Sequence, residues 1–241
     1  MLKMEKSHFA KVSWILGASL QLSSCTTLPQ IRSGDYMPRD LLRFACSPGE
    51  DVKSAQGRIL AKMSSPSRSG QFQAGVTVDS GRHLELDVTN PLGGTQAMIR
   101  VNEGRYEVID YSDQHPVREF GQDYWGGIPL KWASTIFLGR IPCPETTPAT
   151  RLEVSPAGEL VVTWFDAKAK ETQQFTYGFI QWRGKPWPAS LLWTRDGSHS
   201  SRVEFQFESP ETDTGSPEKW EAKSVQGQIK IKWRTRQISR D

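Results

Sequence analysis

From Gly57 almost to the C-terminus, apolar residues recur at every second position in short segments, and this period-two pattern constrains the fold more than any other feature of the chain. Ile59, Ala61 and Met63 alternate with polar neighbours, as do Phe72, Ala74, Val76 and Val78. Leu84, Leu86 and Val88 share one face opposite Glu85 and Asp87. Met98–Val101 and Tyr106–Tyr111 continue the pattern, and it resumes in Leu160–Phe165, Gln174–Gln181, Ser190–Thr194, Val203–Phe207 and Gln228–Thr235. In the last of these, Ile229, Ile231 and Trp233 oppose Lys230, Lys232 and Arg234. Short strands separated by turn residues predict a mainly β protein, an antiparallel sheet or barrel with one buried and one wet face.

Two stretches break this period. Before Gly57, Asp40 is placed to cap a helix over 41–46, and Ser47 with Glu50 suggests a capping box for a polar helical stretch over 50–55. In mid-chain, Gly126-Gly127-Ile128-Pro129 leads into a helix over 130–138 that stops at Gly139. Leu130, Ala133, Phe137 and Leu138 make its apolar face, and Trp132 and Ile136 widen that face. A helix apolar almost all round is covered on more than one side or borders something greasy, so these six residues are the candidates for a cavity wall or lid. Residues 209–219, rich in Pro, Glu, Thr, Ser and Gly, read as a loop insertion.

The N-terminus points to an address. Lys3, Lys6 and Lys11 precede an apolar run over 12–20, then Leu22-Ser23-Ser24-Cys25. A basic start, a short apolar core and small residues before a cut are the marks of a secretory signal. Leu and two small residues before Cys form the narrower lipobox pattern, in which Cys25 becomes the acylated first residue of the mature chain. The run is too short for a membrane span of about 20 residues, so the anchor would be lipid alone. The absence of Asp after Cys25 favours the outer membrane. This divides the chain into a signal over 1–24, a tether over 25–39 and one domain over 40–241.

Two further cysteines remain, Cys46 and Cys143. An oxidising compartment permits a bond between them; the alternative is two separate buried thiols. Charge excludes little. The chain has 30 Lys and Arg against 27 Asp and Glu, and the leader holds three of those Lys and one Glu, so the rest is nearly neutral. No basic stripe suggests nucleic acid. There is no Gly-x-Ser-x-Gly elbow and no phosphate-cradling glycine loop. His8, His83, His115 and His199 are far apart in sequence and sit beside turn residues. Catalytic and metal chemistry are therefore not expected.

Three stretches make the chain resemble the LolB family of outer-membrane lipoprotein receptors. These are Gly57-Arg58-Ile59; Thr89-Asn90-Pro91-Leu92-Gly93-Gly94-Thr95; and Gly127-Ile128-Pro129-Leu130 with Phe137-Leu138-Gly139-Arg140-Ile141-Pro142. Weaker likeness runs through Tyr177-Gly178 and Trp187-Pro188-Ala189, so it spans about residues 40–208 in order. The resemblance implies a curved antiparallel half-barrel closed by helices around an acyl-binding interior, working as a monomer without a cofactor. It implies as partners a periplasmic LolA-like carrier, lipoprotein acyl chains and outer-membrane lipids. It also implies that the loop Asn90, Pro91, Leu92 and Gly93 carries a membrane-inserting leucine. From the residues alone, Leu92 is either tucked inward or exposed. Three features depart from the family pattern: the Cys46 and Cys143 pair, the aromatic run from Trp182 to Trp187, and the segments after Pro142 and over 209–219. Two readings compete with a transfer receptor: a lipid-binding or sensing envelope lipoprotein, and a structural one with a filled core.

Overall fold

The computed structural model describes residues 31, 34–66, 69–90, 92–112, 115–147, 150–166, 170–197, 200–211 and 215–240. The signal, Cys25, most of the tether and Pro91 lie outside them.

The alternating segments form one antiparallel sheet of 13 strands that does not close. Its first half is a meander: β1 (Val52–Ser64), β2 (Ser69–Asp79), β3 (His83–Thr89), β4 (Thr95–Asn102), β5 (Arg105–Asp110) and β6 (Val117–Gln122). Its second half is a meander in the other direction: β9 (Arg151–Val154), β10 (Leu160–Asp166), β11 (Glu171–Trp182), β12 (Lys185–Asp196), β13 (Ser201–Phe207), β14 (Lys219–Ser224) and β15 (Gln228–Arg240). The halves are joined by β1 and β15, each 13 residues long. The free edges are β6 and β9. Between them the chain crosses through the small hairpin β7 (Tyr124–Trp125) and β8 (Ile128–Pro129), a 3-10 turn (Leu130–Trp132) and α2 (Ala133–Phe137).

The period-two residues do share one face. Ile59 and Ala61, Ala74, Val76 and Val78, Leu84 and Leu86, and Ile231 and Trp233 are all buried there. The second meander contributes aromatics to the same face, with Phe175 opposite Trp193 and Leu191 opposite both Tyr177 and Phe205. This inner face is covered by the crossing segment. Trp132 sits edge-on among Trp193, Phe175 and Phe205 at centroid distances of 5.0, 5.9 and 6.0 Å. Phe137 packs edge-on against Trp220 at 5.4 Å and Trp233 at 6.4 Å. The crossing segment thus plugs the half-barrel with two aromatic wedges, one for each side of the second meander.

α1 (Pro38–Cys46) buries Leu41 and Ala45 and packs on the β9, β10 and β12 side. Its exit is tied to the exit of the plug. Cys46 and Cys143 are joined by a disulfide with Cα atoms 5.8 Å apart. Arg140 donates from Nε to the Gly49 carbonyl at 2.8 Å and from Nη2 to the carbonyls of Glu50, at 3.1 Å, and Val52. Tyr177 donates its hydroxyl to the Pro142 carbonyl at 2.7 Å. Burial pushes that phenol far above its usual range, so it stays a donor. The disulfide links positions 97 residues apart, a closure worth about 4.7 kcal/mol in the chain-entropy account.

The structure corrects several expectations. No helix forms over 50–55: Ser47 ends α1, its N–H bonding the Arg43 carbonyl, and the chain turns directly into β1. The length of β15 supplies pairing partners back to Val52, which overrides the local helical signal. Asp40 does not cap α1, which starts at Pro38; it pairs instead with Arg43 at 3.2 Å. The helix expected over 130–138 is shorter and begins as the 3-10 turn. Strands β6, β9 and β14 were not expected, and Lys219 of the expected loop begins β14. The described part of 209–219 is pinned: Pro210 bridges Pro217, and the buried Arg236 donates to Ser216 O, Pro217 O and the Glu211 carboxylate.

Trp132→Ala removes the wedge that meets three aromatics. We expect a loss of about 3–5 kcal/mol, measured by urea unfolding. A loss below about 1 kcal/mol would contradict the plug's role in closing the core.

Candidate functional site

The site has two parts, an apolar interior and the rim of the sheet where it opens. The interior lies between the plug and strands β1 to β5, β14 and β15. It contains a cavity of about 70 Å³ with almost wholly apolar walls. Leu130, Ala133, Ile136 and Phe137 form its plug side; Trp132 and Leu138, also expected there, are buried in the core but do not face it. The strand wall was not foreseen. It includes Ile59, Leu84, Leu86, Ile229 and Ile231, with Phe72 and Tyr106 toward its borders. Tyr106 turns its hydroxyl outward to donate to Glu119 at 3.0 Å, a bond that raises the phenol above its usual range. Ligand pockets for small molecules hold roughly 300–1,000 Å³, so the interior is closed in this state.

The plug is clamped outside two glycine sites. On the entry side, the Arg195 guanidinium lies 4.9 Å over the Tyr124 ring and donates to its hydroxyl. On the exit side are the Arg140 bonds and the disulfide. Between the clamps, Gly126, Gly127 and Gly139 have φ of 56°, 79° and 81°. These are left-handed conformations that glycine adopts without steric cost.

The rim is set by register. Ser64 pairs with both Ser69 and Gln228, and Thr89 pairs with Thr95 and with Gln73. The hairpins β1–β2, β3–β4 and β14–β15 therefore emerge side by side at one edge. At the β3–β4 tip, Gly93 N–H bonds the Asn90 carbonyl, and Asn90 Oδ1 accepts from the N–H groups of Leu92 and Gly94, each at 2.9 Å. Gly93 then turns the chain at φ 88°. This side-chain turn holds Leu92 out: it is 96% exposed. The sequence left Leu92 open between tucked and exposed; the Asn90 bonds decide it.

Among the described residues no cluster of three or more His, Cys, Asp or Glu could hold a metal ion, and no helix is long and apolar enough to cross a membrane.

The fold has counterparts among solved structures. The chain shares its fold with a DUF1329 family protein. That protein, from Desulfovibrio piger, is 8% identical, with a TM-score of 0.53 over 84% of this chain and 92% of that one. At that identity the likeness is one of fold alone. A LolA superfamily protein from Nitrosomonas europaea is 12% identical over 85% of this chain and 94% of that one, with a TM-score of 0.49. An outer membrane lipoprotein-sorting protein domain from Vibrio parahaemolyticus is 5% identical over 84% and 91%, also at 0.49. No protein-family profile and no curated protein matches the chain.

Asn90→Ala removes the acceptor that serves both loop amides. Exchange at Leu92 and Gly94 N–H should speed by about tenfold, with the melting temperature held within about 2 °C. Hydrogen-exchange mass spectrometry tests this. Unchanged protection would mean the tip is held by something else.

Proposed function

We propose that this chain is a lipid-anchored receptor of the outer membrane. It takes lipoprotein acyl chains from a periplasmic carrier and passes them to the bilayer, held there by acylation of Cys25. The observation that carries this reading is Leu92: a large aliphatic side chain held fully out by a built turn, on the rim of a half-barrel whose inner face is apolar. An exposed leucine gains about 2 kcal/mol when it enters an apolar medium, and nothing in the fold rewards holding it in water. The lipobox, the LolB-like motifs and the closed apolar interior fit the same account.

The physical need is to keep acyl chains out of water. At roughly 0.8 kcal/mol per methylene, a chain of about 16 carbons costs on the order of 12 kcal/mol to expose. The interior can supply a dry path only if the plug yields. Pivoting at Gly126, Gly127 and Gly139 would lift Ile136 and Phe137, and the acyl chain would replace Phe137 against Trp220 and Trp233. The clamps would keep the plug attached. The periplasmic face, the LolA-like carrier and the client lipoproteins are parts of this proposal.

The small volume of the cavity favours a second reading, a lipid-binding or sensing envelope lipoprotein that opens only for its own ligand. Depletion followed by fractionation separates the two. Lipoproteins stranded in the periplasm on a carrier support transfer; normal lipoprotein placement supports sensing. Within the transfer reading, Leu92→Glu should leave the fold intact and block delivery of a lipoprotein to outer-membrane vesicles. Unimpaired delivery by that variant would remove Leu92 from the mechanism.

A further inference from the structure

Val225 at the tip of the β14–β15 hairpin is 83% exposed, alone among polar neighbours. It is not part of any motif noted above. Its hairpin is built as firmly as that of Leu92. Ser224 N–H bonds the Gly227 carbonyl at 2.8 Å, and Gln226 N–H bonds Ser224 Oγ at 3.0 Å. Ser224 Oγ in turn donates to the Gly126 carbonyl at 2.6 Å, which fastens this tip to the hinge of the plug.

The mouth of the interior lies beside it. A depression of about 390 Å³ is lined by Met63, Phe72, Ile128 and Ile229, together with the polar backs of the β1–β2 and β14–β15 hairpins. Phe72, Ile128 and Ile229 also line the inner cavity, so the two spaces are neighbours across those side chains. In strand order the β3–β4, β1–β2 and β14–β15 hairpins are consecutive along this edge. Leu92 and Val225 therefore stand on either side of the β1–β2 hairpin, four strand spacings or about 19 Å apart measured across the sheet, and Thr89 lies level with Leu60, four residues short of Ser64.

The charge pattern selects the occupant. The described residues of 62–71, 89–96 and 223–228, at these three tips, include no Asp or Glu, while Lys62 and Lys223 are basic. Lys62 and Lys223 are exposed. Aliphatic tips flanked by cations and free of carboxylates suit a surface of phosphate headgroups over hydrocarbon.

We propose that the β14–β15 hairpin is a second lipid-contacting tip, and that Val225 and Leu92 enter a phospholipid surface together, with the cavity mouth facing the bilayer beside them. This rests on the membrane-facing role proposed for Leu92, and the test separates the two. Single Val225→Cys, Gln226→Cys, Leu92→Cys and Ser80→Cys variants of the full chain, each also carrying Cys25→Ser, are labelled with an environment-sensitive fluorophore. Ser80 lies in the β2–β3 turn at the opposite edge. The probe is a vesicle of phosphatidylethanolamine and phosphatidylglycerol, with and without a quencher on the lipid chains. The expected result is a blue shift and quenching at 225 or 226 and at 92, with no change at 80. A change at 92 without one at 225 and 226 would overturn this inference and leave the role of Leu92 standing. No change at 92, 225 or 226 would overturn both. An equal change at 80 would mean adsorption without orientation and would overturn the proposal too.

Discussion

Everything in this molecule depends on how an open apolar sheet is kept from water. The inner face of a 13-stranded sheet with two free edges cannot be satisfied by the sheet itself. Trp132 and Phe137 solve the problem from a segment of only a few residues, by driving indole and phenyl edges into the aromatics of β11 to β15. Such pairs add about 0.5–1.5 kcal/mol each beyond the area they bury. The same solution leaves the first meander less completely filled, and that is where the cavity lies. Closure and vacancy are two sides of one packing arrangement.

Much of the sheet was legible because its strands are amphipathic. Ile229, Ile231 and Trp233 against three cations could only be a half-buried strand, and the structure buries all three. What escaped had physical causes. β6 is an edge strand with Val117 and Phe120 exposed, so it has no buried face to leave a pattern. β14 alternates through Trp220 and Ala222 but follows a Pro- and Gly-rich stretch that masks its start. The false helix over 50–55 was a sound local reading defeated by a longer-range one, since the pairing comes from β15, at the other end of the chain, and from β2. Four of six plug residues were placed on the cavity, yet its strand wall was not. Ile229 looks like any core isoleucine until the packing around it is known. Val225 gave no signal at all, because single exposed apolar residues are ordinary; only register, which sets its hairpin beside that of Leu92, makes it conspicuous.

On the proposed function, the arrangement brings requirements of lipid handling together in one place. The dry interior, Gly126 and Gly127, and the aliphatic tips meet at the rim formed by the β1–β2, β3–β4 and β14–β15 hairpins. The opposite end carries the fastenings: the disulfide, the Arg140 fork and the Tyr177 bond. A device that must open at one end and hold at the other would be strengthened in that order. An anchor at Cys25 would keep the rim near its target surface without fixing its orientation, which the two tips would supply.

The central claim is that the plug closes an interior that opens for acyl chains. Spin labels on the exposed Lys131 of the plug and on Ser80 of the sheet, read by pulsed dipolar spectroscopy, measure this directly. A single narrow distance is expected in the free protein, with a second, longer distance growing in on titration with a triacylated lipopeptide. Binding of the lipopeptide with the plug distance unchanged would contradict the account.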